Sequence, residues 1–156
     1  MIDTAYMRPI ADAGWRVRQS LRAPASIADI VLAEKSLNCH LPESLRSLLL
    51  ETDGVMNMMS VNDGEWFDEN WVIWPIAEIA EKNQWLRVHH PNRRLERFLF
   101  FASPGVDGIM FGFPAATVSV PDAPVFAWYP DETEDTLKSH GLEKFLAGVI
   151  GGEICV

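Results

Sequence analysis

Apolar residues recur at helical spacing in five stretches of the chain. Ser26 stands as an N-cap, with Asp29 three residues on, ahead of a stripe of Ile27, Ile30, Val31 and Leu37, and this pattern predicts a helix ending near Asn38. Pro42, suited to a first helical turn, opens a second helix with Leu45, Leu48 and Leu49 at i, i+3, i+4 and a stop at Asp53-Gly54. Upstream, Pro9 to Arg22 reads as a further helix with Ile10, Val17 and Leu21 inward, although Gly14 weakens it. Ile76 to Leu86 places Ile76, Ile79 and Ala80 on one face. The fullest stripe comes last: Leu142, Phe145, Leu146, Val149 and Ile150, with Gly151-Gly152 as its stop.

Between these helices the period changes. Trp71 to Trp74 is a short strand ended by Pro75. Phe98-Leu99-Phe100-Phe101 and Ile109 to Phe113 are apolar runs of strand length on either side of a turn with Gly105, Asp107 and Gly108, and they read as a central hairpin. Val118 to Val120 and Val125 to Tyr129 are further strands, each ended by proline. From Val55 to Asn70 the periodicity disappears while Gly, Asn, Asp and Met accumulate, so this segment reads as an irregular loop holding Trp66 and Phe67. The arginine-rich stretch to Arg97 is a connection, with a turn at Pro91-Asn92. Helices first, antiparallel strands in the middle and a helix at the end argue an α+β single domain: N-terminal helices, a central mostly antiparallel sheet and a C-terminal amphipathic helix. Residues 1–25 are then an extension, with a helix as one reading, 26–150 the domain and 151–156 a tail.

A chain of 156 residues with 48% apolar residues has enough to bury about 70% of its unfolded surface in one core. Its two cysteines, Cys39 and Cys155, have neither disulfide-framework nor metal-ligand spacing. The start, Met1-Ile2-Asp3-Thr4, lacks a basic region followed by an apolar run, and no stretch approaches the length of a membrane span, so the expected address is the cytoplasm.

The net charge of -9 is unevenly spread. Between Glu51 and Glu81 lie eight acidic residues (Glu51, Asp53, Asp63, Glu65, Asp68, Glu69, Glu78, Glu81) and no Lys or Arg. From Lys82 to Arg97 the sign reverses through Lys82, Arg87, Arg93, Arg94 and Arg97, and a second acidic cluster follows at Asp131, Glu132, Glu134 and Asp135. Such a field repels nucleic acid and anionic lipid and favours basic partners, although acidic surface also serves solubility alone.

Catalytic patterns are missing. There is no phosphate-cradling glycine loop, and Gly105, Gly108 and Gly112 are not spaced as a dinucleotide fingerprint. Pro104 after Ser103 removes an N–H that a nucleophile elbow would use. His40, His89, His90 and His140 include no pair that would converge on a metal, and Cys39-His40 is a poor ligand pair. Asp131 to Asp135 lacks the alternation of a calcium loop and reads as a solvated loop before a helix. No cofactor, metal or catalytic residue is expected. Trp66, Phe67 and Trp71 inside the acidic span are the type of ring that anchors a protein interface, with the carboxylates as a steering rim; packing beneath the loop is the equal alternative.

The ordered motifs resemble a known family. Ser26-Ile27 through Glu34, then Leu41-Pro42, Leu45 to Leu49 and Asp53-Gly54 are similar to its helix, "LP", second helix and terminal "NG". Ile73-Trp74-Pro75-Ile76-Ala77-Glu78-Ile79 resembles its short strand and "EI" helix; Phe98 to Phe101, Gly105-Val106-Asp107-Gly108 and Phe111-Gly112-Phe113 resemble its glycine-broken hairpin; and Val125 to Trp128 with the Leu142-Phe145-Leu146 helix resembles its ending. By this order the chain, over about residues 26 to 150, is similar to the Smi/Knr-like family of the SUKH superfamily. Asp53 where the family often has Asn, and the long acidic insert before Trp71, depart from its pattern. The resemblance implies an α+β fold and, for bacterial members, immunity proteins that neutralise a cognate toxin, commonly a nuclease; fungal relatives regulate cell-wall synthesis.

The expected function is therefore non-enzymatic: an immunity-type module meeting a basic toxin or effector through Asp63, Glu65, Asp68, Glu69 and the Asp131, Glu132, Glu134, Asp135 loop, with Trp66 as anchor. The alternative is a regulatory or scaffold domain binding an endogenous protein. Nucleic-acid binding through Arg87, Arg93, Arg94 and Arg97 works against the overall charge.

Overall fold

The computed structural model describes residues 7–10, 14–90, 95–105, 107–117 and 120–154, the first four by backbone alone. Among these residues, two four-stranded antiparallel sheets carry four helices. The first sheet has the order β1 (Met7–Ile10), β2 (Trp15–Leu21), β3 (Val55–Val61), β4 (Phe67–Ile73). The second has β5 (Phe98–Ala102), β6 (Met110–Pro114), β7 (Val125–Trp128), β8 (Thr136–Ser139). Helices α1 (Ile27–Leu37) and α2 (Glu43–Glu51) lie between β2 and β3, α3 (Ile76–His89) joins the two sheets, and α4 (Leu142–Gly151) closes the chain. The α+β class and the C-terminal helix agree with the sequence reading; the single central sheet is replaced by two.

The helices form where the periodicity places them. The Ser26 hydroxyl accepts from the Asp29 N–H at 3.1 Å, and α1 ends at Asn38 in the left-handed conformation. Glu34 then fixes the α1–α2 corner: its carboxylate, 10% exposed, accepts from the Leu41 N–H at 2.9 Å and from Arg46 at 3.1 Å. Pro75 precedes α3, whose first N–H, at Ile76, is satisfied by the Asp53 carboxylate at 2.7 Å. A residue from the end of one helix thus caps the next across the turn into β3. Gly54 makes that turn possible: its φ is 99°, and a side chain there would press on the Trp71 ring and on the backbone of Ile73 and Pro75.

The helix expected over Pro9 to Arg22 is not formed. Met7–Ile10 and Trp15–Leu21 are paired strands, with 11–13 outside the described residues. In Trp15-Arg16-Val17-Arg18, arginines alternate with Trp15 and Val17, a period of two that suits a sheet half open to water. β2 pairs with β3 along all seven of its residues, so tertiary pairing decides a segment whose local preference is weak.

The irregular loop expected from Val55 to Asn70 is also overturned, because it is a hairpin. Asn62 and Asp63, at φ 50° and 56°, take the left-handed conformation while the Gly64 N–H bonds the Val61 carbonyl at 2.9 Å, which is the turn that matches strand twist. The strand expected at Trp71 starts earlier, at Phe67, and its register skips at two places. A side-chain ladder ties this sheet together: Gln19 donates to Asn57 at 3.0 Å and Asn57 to Asn70 at 3.1 Å.

The core is shared by the second sheet, the helices and the adjoining ends of β3 and β4, which bury Val55, Val72 and Ile73 in it. Phe101 stacks on Phe113 at 4.6 Å, and Phe145 of α4 meets Phe101 and Phe111 edge-on at 5.6 and 4.9 Å. On the opposite side Phe98, Phe100, Phe126 and Trp128 form a second aromatic layer, with Phe100 lying close over Gly112, where a side chain would not fit. Asn83 of α3 closes the outer edge of β5 by donating to the Phe100 carbonyl at 2.7 Å and accepting from the Phe100 N–H at 3.0 Å. The Trp74 N–H bonds the Phe101 carbonyl at 2.9 Å and brings the end of β4 against the same edge.

Asp131 to Asp135 precedes not a helix but β8, an edge strand of only four residues, too short to show a period. Val120, expected in a strand, sits in a bend, and 118 and 119 lie outside the described residues, as do Pro91 and Asn92.

Candidate functional site

Where the end of β4, the outward stripe of α3 and the second aromatic layer meet, they leave a cleft of about 990 Å³. Four of the six tryptophans line it: Trp71, Trp74, Trp85 and Trp128. Among the described residues it is also lined by three carboxylates, Glu69, Glu78 and Glu81, and by the ammonium of Lys82. The α3 wall has a simple origin. Glu78, Glu81, Lys82 and Trp85 recur at i, i+3, i+4, i+7, so they share the helix face turned away from Ile76, Ile79 and Asn83, which are buried.

The indoles are largely occupied from within. The Arg22 guanidinium lies 5.5 Å from the Trp71 ring centre, and the Lys82 ammonium 5.2 Å from that of Trp74 while also 3.7 Å from Glu78. Trp85, 50% exposed, is stacked on His89 at 4.8 Å. Trp128 meets the edge of Phe100 at 6.4 Å and has its indole N–H buried without an acceptor. Glu69 forms no hydrogen bond or ion pair among the described residues, and burial pushes its carboxyl above the usual glutamate range.

The residues expected from sequence fall around this cleft rather than in it. Glu69 lines it, as does Trp71 of the rings in the acidic span; Pro130, immediately before Asp131, lines it too, so both acidic segments lead to its rim. Glu65, Asp68 and Glu69 are exposed together with Phe67, which is 48% exposed. Asp63, in the hairpin turn, is paired with Arg16 at 2.9 Å. Trp66 is half-buried, with the Arg18 guanidinium 4.4 Å above its ring. Asp131, Glu132 and Glu134 are exposed in the β7–β8 connection and Asp135 is half-buried.

Sequence reasoning missed the basic contribution of β2. The absence of Lys and Arg between Glu51 and Glu81 is true along the chain but not in space, because strand pairing sets Arg16, Arg18 and Arg22 beside that span. It also missed Trp85 and Trp128 as members of one cleft, although the spacing of Glu78, Glu81, Lys82 and Trp85 was a readable signal. Among the described residues there is no grouping of His, Cys, Asp and Glu that would hold a metal ion, and no helix is long and apolar enough to cross a membrane.

No curated protein matches the chain. The sequence pattern of the SMI1 / KNR4 family (SUKH-1) matches residues 24–148, well over half its length. Members of that family are in general non-catalytic immunity or regulatory modules with protein partners. With this match, and with a mixed fold of helices and antiparallel sheets, the chain belongs to the SMI1 / KNR4 family (SUKH-1).

Proposed function

We propose that this chain is an immunity-type binding module that neutralises a cognate basic toxin in the cytoplasm by covering it with its acidic face. One observation carries the reading: Glu65, Phe67, Asp68 and Glu69 are exposed in a single run that leads into a tryptophan-lined cleft. Exposed carboxylates raise the encounter rate with a positively charged protein, while buried rings supply the area that slows its release. Asp131, Glu132, Glu134 and Asp135 extend the negative rim from the opposite wall. The internal pairing of Asp63 with Arg16 and of Trp66 with Arg18 moves the weight of the contact away from those two residues and toward Glu65 to Glu69.

The test begins with the gene beside the one encoding this chain. If the reading holds, its product arrests growth when expressed alone, growth returns when this chain is co-expressed, and the purified proteins elute as one complex. A neighbouring product that is harmless, or that forms no complex, refutes neutralisation and favours a regulatory domain with an endogenous protein partner.

A further inference from the structure

Three of the four indoles in the cleft already carry a basic side chain of this chain, Arg22 on Trp71, Lys82 on Trp74 and His89 on Trp85, whereas Trp128 meets only the edge of Phe100. Among the described residues Trp128 carries no cation and Glu69, on the same cleft, no counter-ion. We infer that this vacant pair is a receptor for one arginine side chain of the protein partner, its guanidinium lying against the Trp128 indole and its N–H groups directed to the Glu69 carboxylate.

Charge and shape favour this occupant over others. The cleft presents Glu69, Glu78 and Glu81 against Lys82 and His90, so an anion would be repelled and an apolar side chain would leave Glu69 both desolvated and unpaired. A guanidinium is planar, stacks on an indole and is more weakly hydrated than an ammonium, so it satisfies ring and carboxylate at once. The chain uses the same chemistry on itself, with Arg18 at 4.4 Å from Trp66 and Arg22 at 5.5 Å from Trp71. Glu69 is exposed at the rim yet partly shielded from water, which raises its carboxyl, and an incoming cation would pair with its charge.

The inference rests on the chain being a protein-binding module but needs no cognate partner for its test. The probe is a blocked pentapeptide, Gly-Arg-Gly-Arg-Gly, and the same peptide with both arginines replaced by citrulline, which keeps the shape and loses the charge. Binding is followed by the indole N–H signals in NMR spectra of the full chain, the Trp128 signal being identified with Trp128→Phe. The arginine peptide is expected to shift the Trp128 signal and the citrulline peptide to leave it in place. Glu69→Gln should weaken the arginine peptide at least about fivefold, on the order of 1 kcal/mol for the lost charge pair with a ring-bound cation. Glu43→Gln, which removes the same charge from an exposed position on α2 outside the cleft and its rim, should change it less than about twofold. Equal binding of the citrulline peptide, equal weakening by both variants, or shifts centred on Trp66 would overturn the inference. Failure here would leave the neutralisation experiment unaffected, and a harmless neighbouring gene product would leave this peptide result standing.

Discussion

The guanidinium of Arg18 lies 4.4 Å above the ring of Trp66, joining β2 to the segment that enters β4. Both residues are partly open to water, and contacts of this type at such sites are worth about 0.5–1 kcal/mol. Arg18→Met, which keeps the stem and removes the charge, is expected to lower stability by that amount in urea titration. A loss of more than about 2 kcal/mol would show that Arg18 does more for the fold than cover this ring.

Asp53 is the acceptor for the first N–H of α3 although it lies 23 residues earlier. Asp53→Ala leaves that N–H without its partner and should cost about 1 kcal/mol, the usual loss for a helix cap. Asp53→Asn, which retains the carbonyl oxygen, should recover most of it. Equal loss in both variants, read from denaturant midpoints, would place the effect in charge rather than in the cap.

Asn83 is buried and binds both backbone groups of Phe100 while also donating to the Ile79 carbonyl at 2.8 Å. Asn83→Leu would fill the space yet strand an N–H and a carbonyl at the β5 edge, each costing about 1–3 kcal/mol when buried unpaired. A drop of at least about 2 kcal/mol is expected. Wild-type stability in the Leu variant would mean that water reaches this edge.

Glu69 gives a pH dependence of definite sign. Burial raises its carboxyl above the usual glutamate range in the folded chain, whereas the unfolded chain restores the ordinary value. The folded state therefore binds the proton more tightly, and its stability from this group falls as pH rises through the ordinary glutamate range and on to the raised folded value. Glu69→Gln has no such proton. The variant should match the wild type below about pH 4 and gain on it as the pH is raised. A gap that widens on acidification would contradict the burial of this carboxyl.

Much of the fold was readable in the chain because the helices carry their own signals. Ser26 with Asp29, Pro42, Gly54 and the Leu142 to Ile150 stripe each mark a helix end or face within a few residues. Two segments were misread for one physical reason. Trp15–Leu21 and Val55–Val61 are strands by virtue of pairing with each other, and their own residues, arginines in one and methionines in the other, have weak strand preference. Asn62-Asp63-Gly64 was the overlooked turn. The cleft was less legible, since Trp71, Trp85 and Trp128 come from three elements far apart in sequence, and only the α3 wall has a period of its own. The charge map failed at Arg16, Arg18 and Arg22, because a run of like charges along a strand says nothing of the strand beside it.

The central claim is that exposed carboxylates on β4 draw in a basic protein. The most direct measurement is the association rate of the neighbouring gene product with wild type and with Asp68→Lys, taken at low and at high salt. Electrostatic steering predicts a several-fold slower association for Asp68→Lys at about 20 mM salt, closing as ionic strength rises above about 0.3 M, with dissociation little changed. Equal association rates at low salt would contradict it.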